Sequence, residues 1–144
     1  MVSTEYPPMQ GGVGRYCKKL VDSLKNQGVE VRVVCNEDGQ GDYFGISPLN
    51  PDNSEILLKI VEEYQPDVVN VQYEPGLYGI HLDALNPNKT TTNVEAFYRE
   101  CKVPIVTTFH SAYTFRQWMS LVVPLVNKKF GKIGTWLHVA YDYW

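Results

Sequence analysis

Few residues in this sequence are of a type and spacing that could do chemistry. Gly11-Gly12-Val13-Gly14-Arg15 stands directly before an amphipathic run. A glycine loop there leaves the first backbone N–H groups of a helix exposed, and together with the helix dipole they favour an anion, a phosphate being the natural guest. A glycine-rich turn also serves as a flexible connection and nothing more. The Walker lysine pattern is absent. The dinucleotide fingerprint is incomplete, because the frame Gly12-x-Gly14-x-x puts Cys17 where a third Gly or Ala is needed. Arg15, on the first helical turn, either offers a cation to a phosphate or acceptor or is solvated. His110 ends a β-branched segment and Glu74 follows another, the position where open α/β sheets place ligands. A strand-end histidine bonded to backbone and a solvated loop carboxylate are the plainer readings of those two residues.

Other chemistries are poorly served. His81, His110 and His138 are spread evenly along the chain, and no Cys/His cluster has zinc spacing, so no metal site is expected. Cys17, Cys35 and Cys101 are far apart, each in an apolar periodic segment, and read as reduced core residues. A net charge of -3 with no clustered arginine argues against a nucleic-acid partner, whose binding rests on phosphate neutralisation. The N-terminus lacks a basic region followed by an apolar stretch, and no run approaches the ~18–20 apolar residues of a membrane span, which points to the cytoplasm. Asn88-Lys89-Thr90 is a glycosylation sequon that a cytoplasmic protein would not use.

The elements that must position these residues follow from periodicity. With 144 residues, 44% hydrophobic and 20% charged, the chain suits one soluble globular domain. Met1 to Thr4 reads as a short first strand, broken by the Pro7-Pro8 and Gly11-Gly12 loop. Val13, Tyr16, Cys17, Leu20, Val21 and Leu24 form one helical stripe ending near Gly28. Val29 to Cys35 reads as a strand, completing a βαβ unit, and Gly39 to Asn53 as a loop. Ile56, Leu57, Ile60, Val61 and Tyr64 predict a second helix ending before Pro66. Asp67 to Tyr73 is apolar enough for a strand covered on both faces, as in parallel sheets. Thr92 and Glu95 resemble a capping box before a short helix through Val94, Phe97, Tyr98 and Cys101, and Val103 to Phe109 makes a fourth strand. From Tyr113 onward the pattern weakens. The apolar Trp118 to Val126 segment, followed by Lys128, Lys129 and Lys132, suits a buried helix with a solvated basic end, or peripheral contact with anionic lipid.

Ser3-Thr4-Glu5-Tyr6-Pro7-Pro8 followed by Gly11-Gly12-Val13-Gly14-Arg15-Tyr16, then Pro66-Asp67-Val68-Val69-Asn70-Val71-Gln72, then Val103-Pro104-Ile105-Val106-Thr107-Thr108-Phe109-His110-Ser111 resembles, in order and spacing, the N-terminal domain of family 4 glycosyltransferases. The resemblance covers most of residues 1–111. It implies an α/β fold, a Rossmann-like parallel sheet with helices on both faces, forming the N-terminal half of a GT-B enzyme. It also implies retaining, metal-independent transfer of a sugar from a nucleotide-sugar donor, with no other cofactor. Carried over by position, Gly11 and Gly12 would approach the donor diphosphate and stabilise the leaving charge. His110 matches the family's histidine that contacts the transferred sugar. Glu74, Arg15 and Ser111 complete the expected phosphate- and acceptor-binding set.

Two departures from the family pattern bear on function. The family's nucleotide-holding C-terminal domain, with its two glutamates separated by seven residues, has no counterpart in residues 1–144; Glu55 and Glu63 share that spacing but fall on the predicted second helix, away from the carboxyl edge. The first strand has about four residues where ~5–6 is usual, and a fifth strand expected after Tyr141 is not reached, so the sheet reads as clipped at both ends. The expectation is an acceptor-side domain, inactive alone, whose partners are a nucleotide-sugar, the missing domain and a glycan, lipid or small-molecule acceptor. A lipid-linked acceptor would place it at the inner membrane face. Alternatives are a stand-alone nucleotide- or phosphate-binding module and an NAD-binding domain with Glu37 or Asp38 on the ribose.

Overall fold

The computed structural model describes residues 1–81 and 91–111, without the side chains of Ile80 and His81. The chain divides into two compact units, Met1–Ile80 with Thr92–His110 and His81–Thr91 with Ser111–Trp144. Among the described residues, the first unit carries the helices and the parallel sheet; the expectations placed on Asn88–Thr90, on Trp118–Lys132, on His138 and on a fifth strand lie outside the described residues. The elements are α1 (Gly12–Asn26), α2 (Asn53–Tyr64), β1 (Val69–Tyr73), β2 (Ile80–His81), β3 (Thr91–Thr92), α3 (Glu95–Glu100) and β4 (Ile105–Phe109), with a 3-10 turn at Pro75–Leu77. The two-residue strands β2 and β3 stand where the chain passes between the units.

Every pairing in the main sheet is parallel. β1 pairs with β4 from Val69↔Ile105 to Tyr73↔Phe109. On its other side β1 meets the first residues of the chain, which in turn meet the segment around Val34 through the bridges Val2↔Val71 and Val2↔Val34. The spatial order is therefore second, first, third and fourth extended segment, as in a doubly wound sheet. The ladder is continuous in hydrogen bonds: Val2 N–H to Asn70 O at 2.7 Å, Gln72 N–H to Val2 O at 2.9 Å, and Val34 N–H to Met1 O at 2.9 Å.

The second strand differs from the expected run over 29–35. Val34 alone bridges the first segment, flanked by the bonds of Met1 N to Arg32 O at 2.8 Å and of Asn36 N–H to Thr4 O at 3.2 Å, and the supposed loop after Gly39 returns so that Val34 also bridges Tyr43. Asp42 explains the return: its Oδ2 accepts the Val33 N–H at 2.8 Å, while Asp42 and Tyr43 both donate backbone N–H to Val33 O at 2.8 and 3.0 Å. Gly39 and Gly41 permit it, since a Cβ on either would lie 2.7 Å from Cys35 Sγ.

Side-chain alternation splits the core into two layers. Val31, Val33 and Cys35 pack with Tyr6, Cys17 and Val21, so α1 covers one face. Val2, Val34, Val69 and Val71 pack with Ile46, Leu57, Val94 and Phe97, so α2 and α3 cover the other. Helices on both faces of a parallel sheet are what the sequence pattern predicts. α1 ends as expected, with Gly28 in the left-handed region at φ 82°. α3 begins differently from the expected capping box. Glu95 Oε1 does accept the Thr92 N–H at 3.0 Å, but the Thr92 hydroxyl has no partner among the described residues. The α3 cap comes instead from α2: Ser54 Oγ accepts the Phe97 N–H at 3.1 Å and donates to Asn93 O at 2.9 Å. The three cysteines are free thiols, Cys17 and Cys35 buried and Cys101 half-buried. Glu55 and Glu63 fall on α2, as expected, and are exposed there.

Candidate functional site at the carboxyl edge of the sheet

The carboxyl ends of the first segment, β1 and β4 converge where the strand order reverses, the point at which open α/β sheets bind ligands. The chain leaves the first segment at Thr4 and turns through Glu5 to Gly11. Gly11 is the residue before α1. Glu5 Oε1 accepts the Gly14 N–H at 2.7 Å. A Cβ on Gly11 would overlap the Glu5 carboxylate outright, and one on Gly14 would lie 3.1 Å from Glu5 O. The glycines are thus present for close approach, and the approaching group is the chain's own carboxylate. It stands at the helix N-terminus, where an anion is stabilised by the dipole and by N–H groups that have no intrahelical partner. Glu5 takes the third helical N–H. Those of Gly12 and Val13 make no hydrogen bond among the described residues, and Gly12 faces open space.

Arg15 is exposed and folds back on its own turn, Nε donating to Gly11 O at 3.1 Å. Tyr16, expected as part of the core stripe, is 47% exposed. Its ring stands edge-on to His110, with centroids 5.1 Å apart at an interplanar angle of 79°. That contact joins the first turns of α1 to the end of β4.

His110 extends the β1–β4 ladder by one residue, its backbone N–H donating to Tyr73 O at 3.0 Å. Its side chain bonds a side chain, not backbone: Nε2 lies 2.8 Å from Gln72 Oε1. Gln72 is completely buried. A buried carboxamide needs partners for both its ends, and Gln72 Nε2 donates to Asn70 Oδ1, to Met1 Sδ at 3.4 Å and to Thr108 Oγ1 at 3.5 Å. Register explains the cluster, because Asn70 and Gln72 alternate onto one face of β1 and Thr108 is the cross-strand partner of Gln72. Glu74 follows β1 at the same edge; its carbonyl accepts the Leu77 N–H at 2.8 Å and its side chain is half-buried. Ser111 follows His110 and falls in the second unit, its hydroxyl buried without a hydrogen-bond partner among the described residues.

Of the predicted site residues, His110 is therefore brought beside α1, with Gly12 and Arg15 on the adjoining first turn of that helix, while Glu74 shares its sheet edge. Sequence reasoning missed Glu5, Tyr16 and Gln72. A glutamate nine positions before a helical glycine carries no periodic signal, whereas Tyr16 lies one turn after Gly12 and could have been read with the loop. Among the described residues no group of three or more His, Cys, Asp or Glu is placed to hold a metal, and no helix is long and apolar enough to cross a membrane.

With that edge in view, the comparison with known families is decisive: residues 10–141 match Glycosyltransferase Family 4. The chain belongs to this family. The match extends beyond the resemblance over residues 1–111, and it makes the parallel α/β domain a GT-B family domain. No curated protein and no solved structure matches the chain. Within the glycosyltransferase family 4 domain, the Ser3–Pro8 segment precedes the matched region, while the glycine turn, β1 and β4 with His110 fall inside it.

Proposed function

We propose that this domain is the N-terminal, acceptor-side half of a retaining glycosyltransferase that moves a sugar from a nucleotide-sugar to a hydroxyl of a glycan, lipid or small molecule without a metal. Family membership supports transfer of a sugar in general. The observation that carries the finer reading is His110, held at the carboxyl edge by Gln72 and edge-on to Tyr16 from the helix that the glycine turn opens. In this reading the backbone N–H groups of Gly12 and Val13, behind Gly11, meet the departing diphosphate, with Arg15 able to swing from Gly11 O toward the same charge. His110 contacts the transferred sugar. Glu74 binds the acceptor. The nucleotide sits on a C-terminal domain, closure of which excludes water from the transfer. We place the protein in the cytoplasm, with lipid-linked acceptors reached at the inner membrane face.

The test is nucleotide release from UDP- and GDP-sugars by the native protein from its source cells, with and without His110→Ala. Loss of one neutral hydrogen bond to a reacting sugar, worth about 0.5–1.5 kcal/mol, lowers turnover about 2- to 12-fold. An unchanged rate in His110→Ala overturns the assignment of that residue. Thermal stabilisation by NAD or NADP and by no UDP or GDP compound would make the glycine turn a dinucleotide site instead.

A further inference from the structure

We infer that Gln72 is a positioning residue that holds the His110 imidazole with its proton on Nε2, leaving Nδ1 as a hydrogen-bond acceptor for a sugar hydroxyl. The inference rests on the reading of His110 as the sugar-contacting residue and adds to it the polarity of that contact. A carboxamide oxygen only accepts, so the 2.8 Å contact between Gln72 Oε1 and His110 Nε2 requires the hydrogen to be on Nε2. The amide is oriented by what surrounds its nitrogen. Asn70 Oδ1, Thr108 Oγ1 and Met1 Sδ are all acceptors within reach of Gln72 Nε2. Turning the amide over would set its oxygen against Asn70 Oδ1 and Met1 Sδ, neither of which can donate, and present an N–H₂ to the ring. Gln72 has no exposed surface, so water cannot compensate for such a reversal.

The rest of the ring is also constrained. The Tyr16 ring packs on His110 at an interplanar angle of 79°, and the His110 backbone is tied to Tyr73 O. No hydrogen bond among the described residues engages Nδ1. In a neutral imidazole one nitrogen donates and the other accepts. With Nε2–H committed to Gln72, Nδ1 takes a hydrogen from a ligand and cannot give one. Sugar hydroxyls can donate to it; phosphate oxygens ionised at neutral pH cannot. His110 thus selects the sugar end of a donor and is unsuited to the diphosphate end, which falls to the N–H groups of α1.

The tautomer can be read without any turnover. In 15N-labelled full chain at a pH about two units above the ~6.5 of free imidazole, the His110 ring signals are identified by their loss in His110→Ala. The expected pattern is one protonated Nε2, one unprotonated Nδ1 and an Nε2 proton in slow exchange with water. A proton on Nδ1, or two averaged nitrogens, overturns the inference even if sugar transfer is later confirmed. Conversely, the expected pattern stands even if no donor is ever turned over. Gln72→Met, of similar volume but without an acceptor oxygen, is expected to average the two nitrogens and speed exchange of the Nε2 proton at least tenfold. Gln72→Glu restores an acceptor oxygen and the slow exchange. Unchanged exchange in Gln72→Met, or no recovery in Gln72→Glu, would assign the protection to burial and overturn the role of Gln72. Should either variant not fold, the wild-type pattern still decides the tautomer.

Discussion

Replacing Gly11 by alanine is expected to cost stability only because Glu5 is there. The Gly11 backbone is extended, at φ -174° and ψ 163°, a conformation alanine adopts freely. The added methyl would instead occupy the place of the Glu5 carboxylate, the far end of a flexible side chain that can swing away. What is lost is its 2.7 Å bond to the Gly14 N–H at the start of α1. A hydrogen bond to a charged group contributes about 1.5–3 kcal/mol and an anion at a helix N-terminus about 0.3–1 kcal/mol. Because Glu5 is half-buried, the low end applies, about 1.5 kcal/mol. Against this, exchanging glycine for alanine in an allowed conformation returns about 0.5 kcal/mol through the unfolded chain. Glu5→Ala is then expected to cost about 1.5 kcal/mol and Gly11→Ala about 1 kcal/mol, while the double variant costs about 1 kcal/mol. The coupling is about 1.5 kcal/mol, or roughly 3–6 °C in melting temperature for a chain of this size. Urea unfolding followed by far-UV circular dichroism measures it. Strictly additive single effects would show that Glu5 and Gly11 do not share the helix N-terminus, and the account of the glycine turn would fail.

Burial lifts the Cys17 thiol from 9 to about 11 and the Tyr6 phenol from 10 to about 12. The unfolded chain loses both protons first, so stability present below pH 9 falls as pH rises through 9 to 12. The Cys17 share is up to about 2 kcal/mol, and urea midpoints that stay level between pH 8 and 11 would refute it. Ser54→Ala removes the α3 cap and leaves the buried Phe97 N–H without a partner, a loss of about 2 kcal/mol by the same denaturation assay; a change below about 0.5 kcal/mol would mean that water replaces the hydroxyl. In native protein, Cys101 is expected to react with a thiol reagent well before Cys17 and Cys35, whose thiols are both buried and held protonated by desolvation. Equal rates for all three would contradict the packing around α1.

Helices α1 and α2 and the parallel character of the sheet were legible because each rests on a repeated signal, apolar residues every third or fourth position or a continuous β-branched run. Tyr16 shows where such counting stops. Tyrosine is apolar along its ring and polar at its tip, so periodicity admits it to a buried stripe, whereas in the fold Tyr16 is exposed with its ring against His110. Gln72 was invisible for the opposite reason: a single polar residue in a strand says nothing until register brings Thr108 and His110 beside it. Asp42 converts part of an apparent loop into sheet edge by one carboxylate bond to Val33, a contact that no local composition announces. Sites made by side chains far apart in sequence depend on the fold for their existence, and only their strand-end position, as with His110, can be foreseen.

Ser54 ties together more than two helix ends. α3 has six residues, far below the ~12–15 at which a helix begins to persist in water. Its cap and much of its apolar cover come from a helix about forty positions earlier. α3 therefore has no independent existence, and any fluctuation that lifts α2 from the sheet unwinds α3 with it. Amides of the two helices should exchange with solvent through a common opening, slower than the turns between them. β4 follows α3 after only a few residues and its last residue, Phe109, leads directly into His110, so the histidine is anchored to the same cooperative unit. Its placement at the edge persists for as long as α2 stays docked.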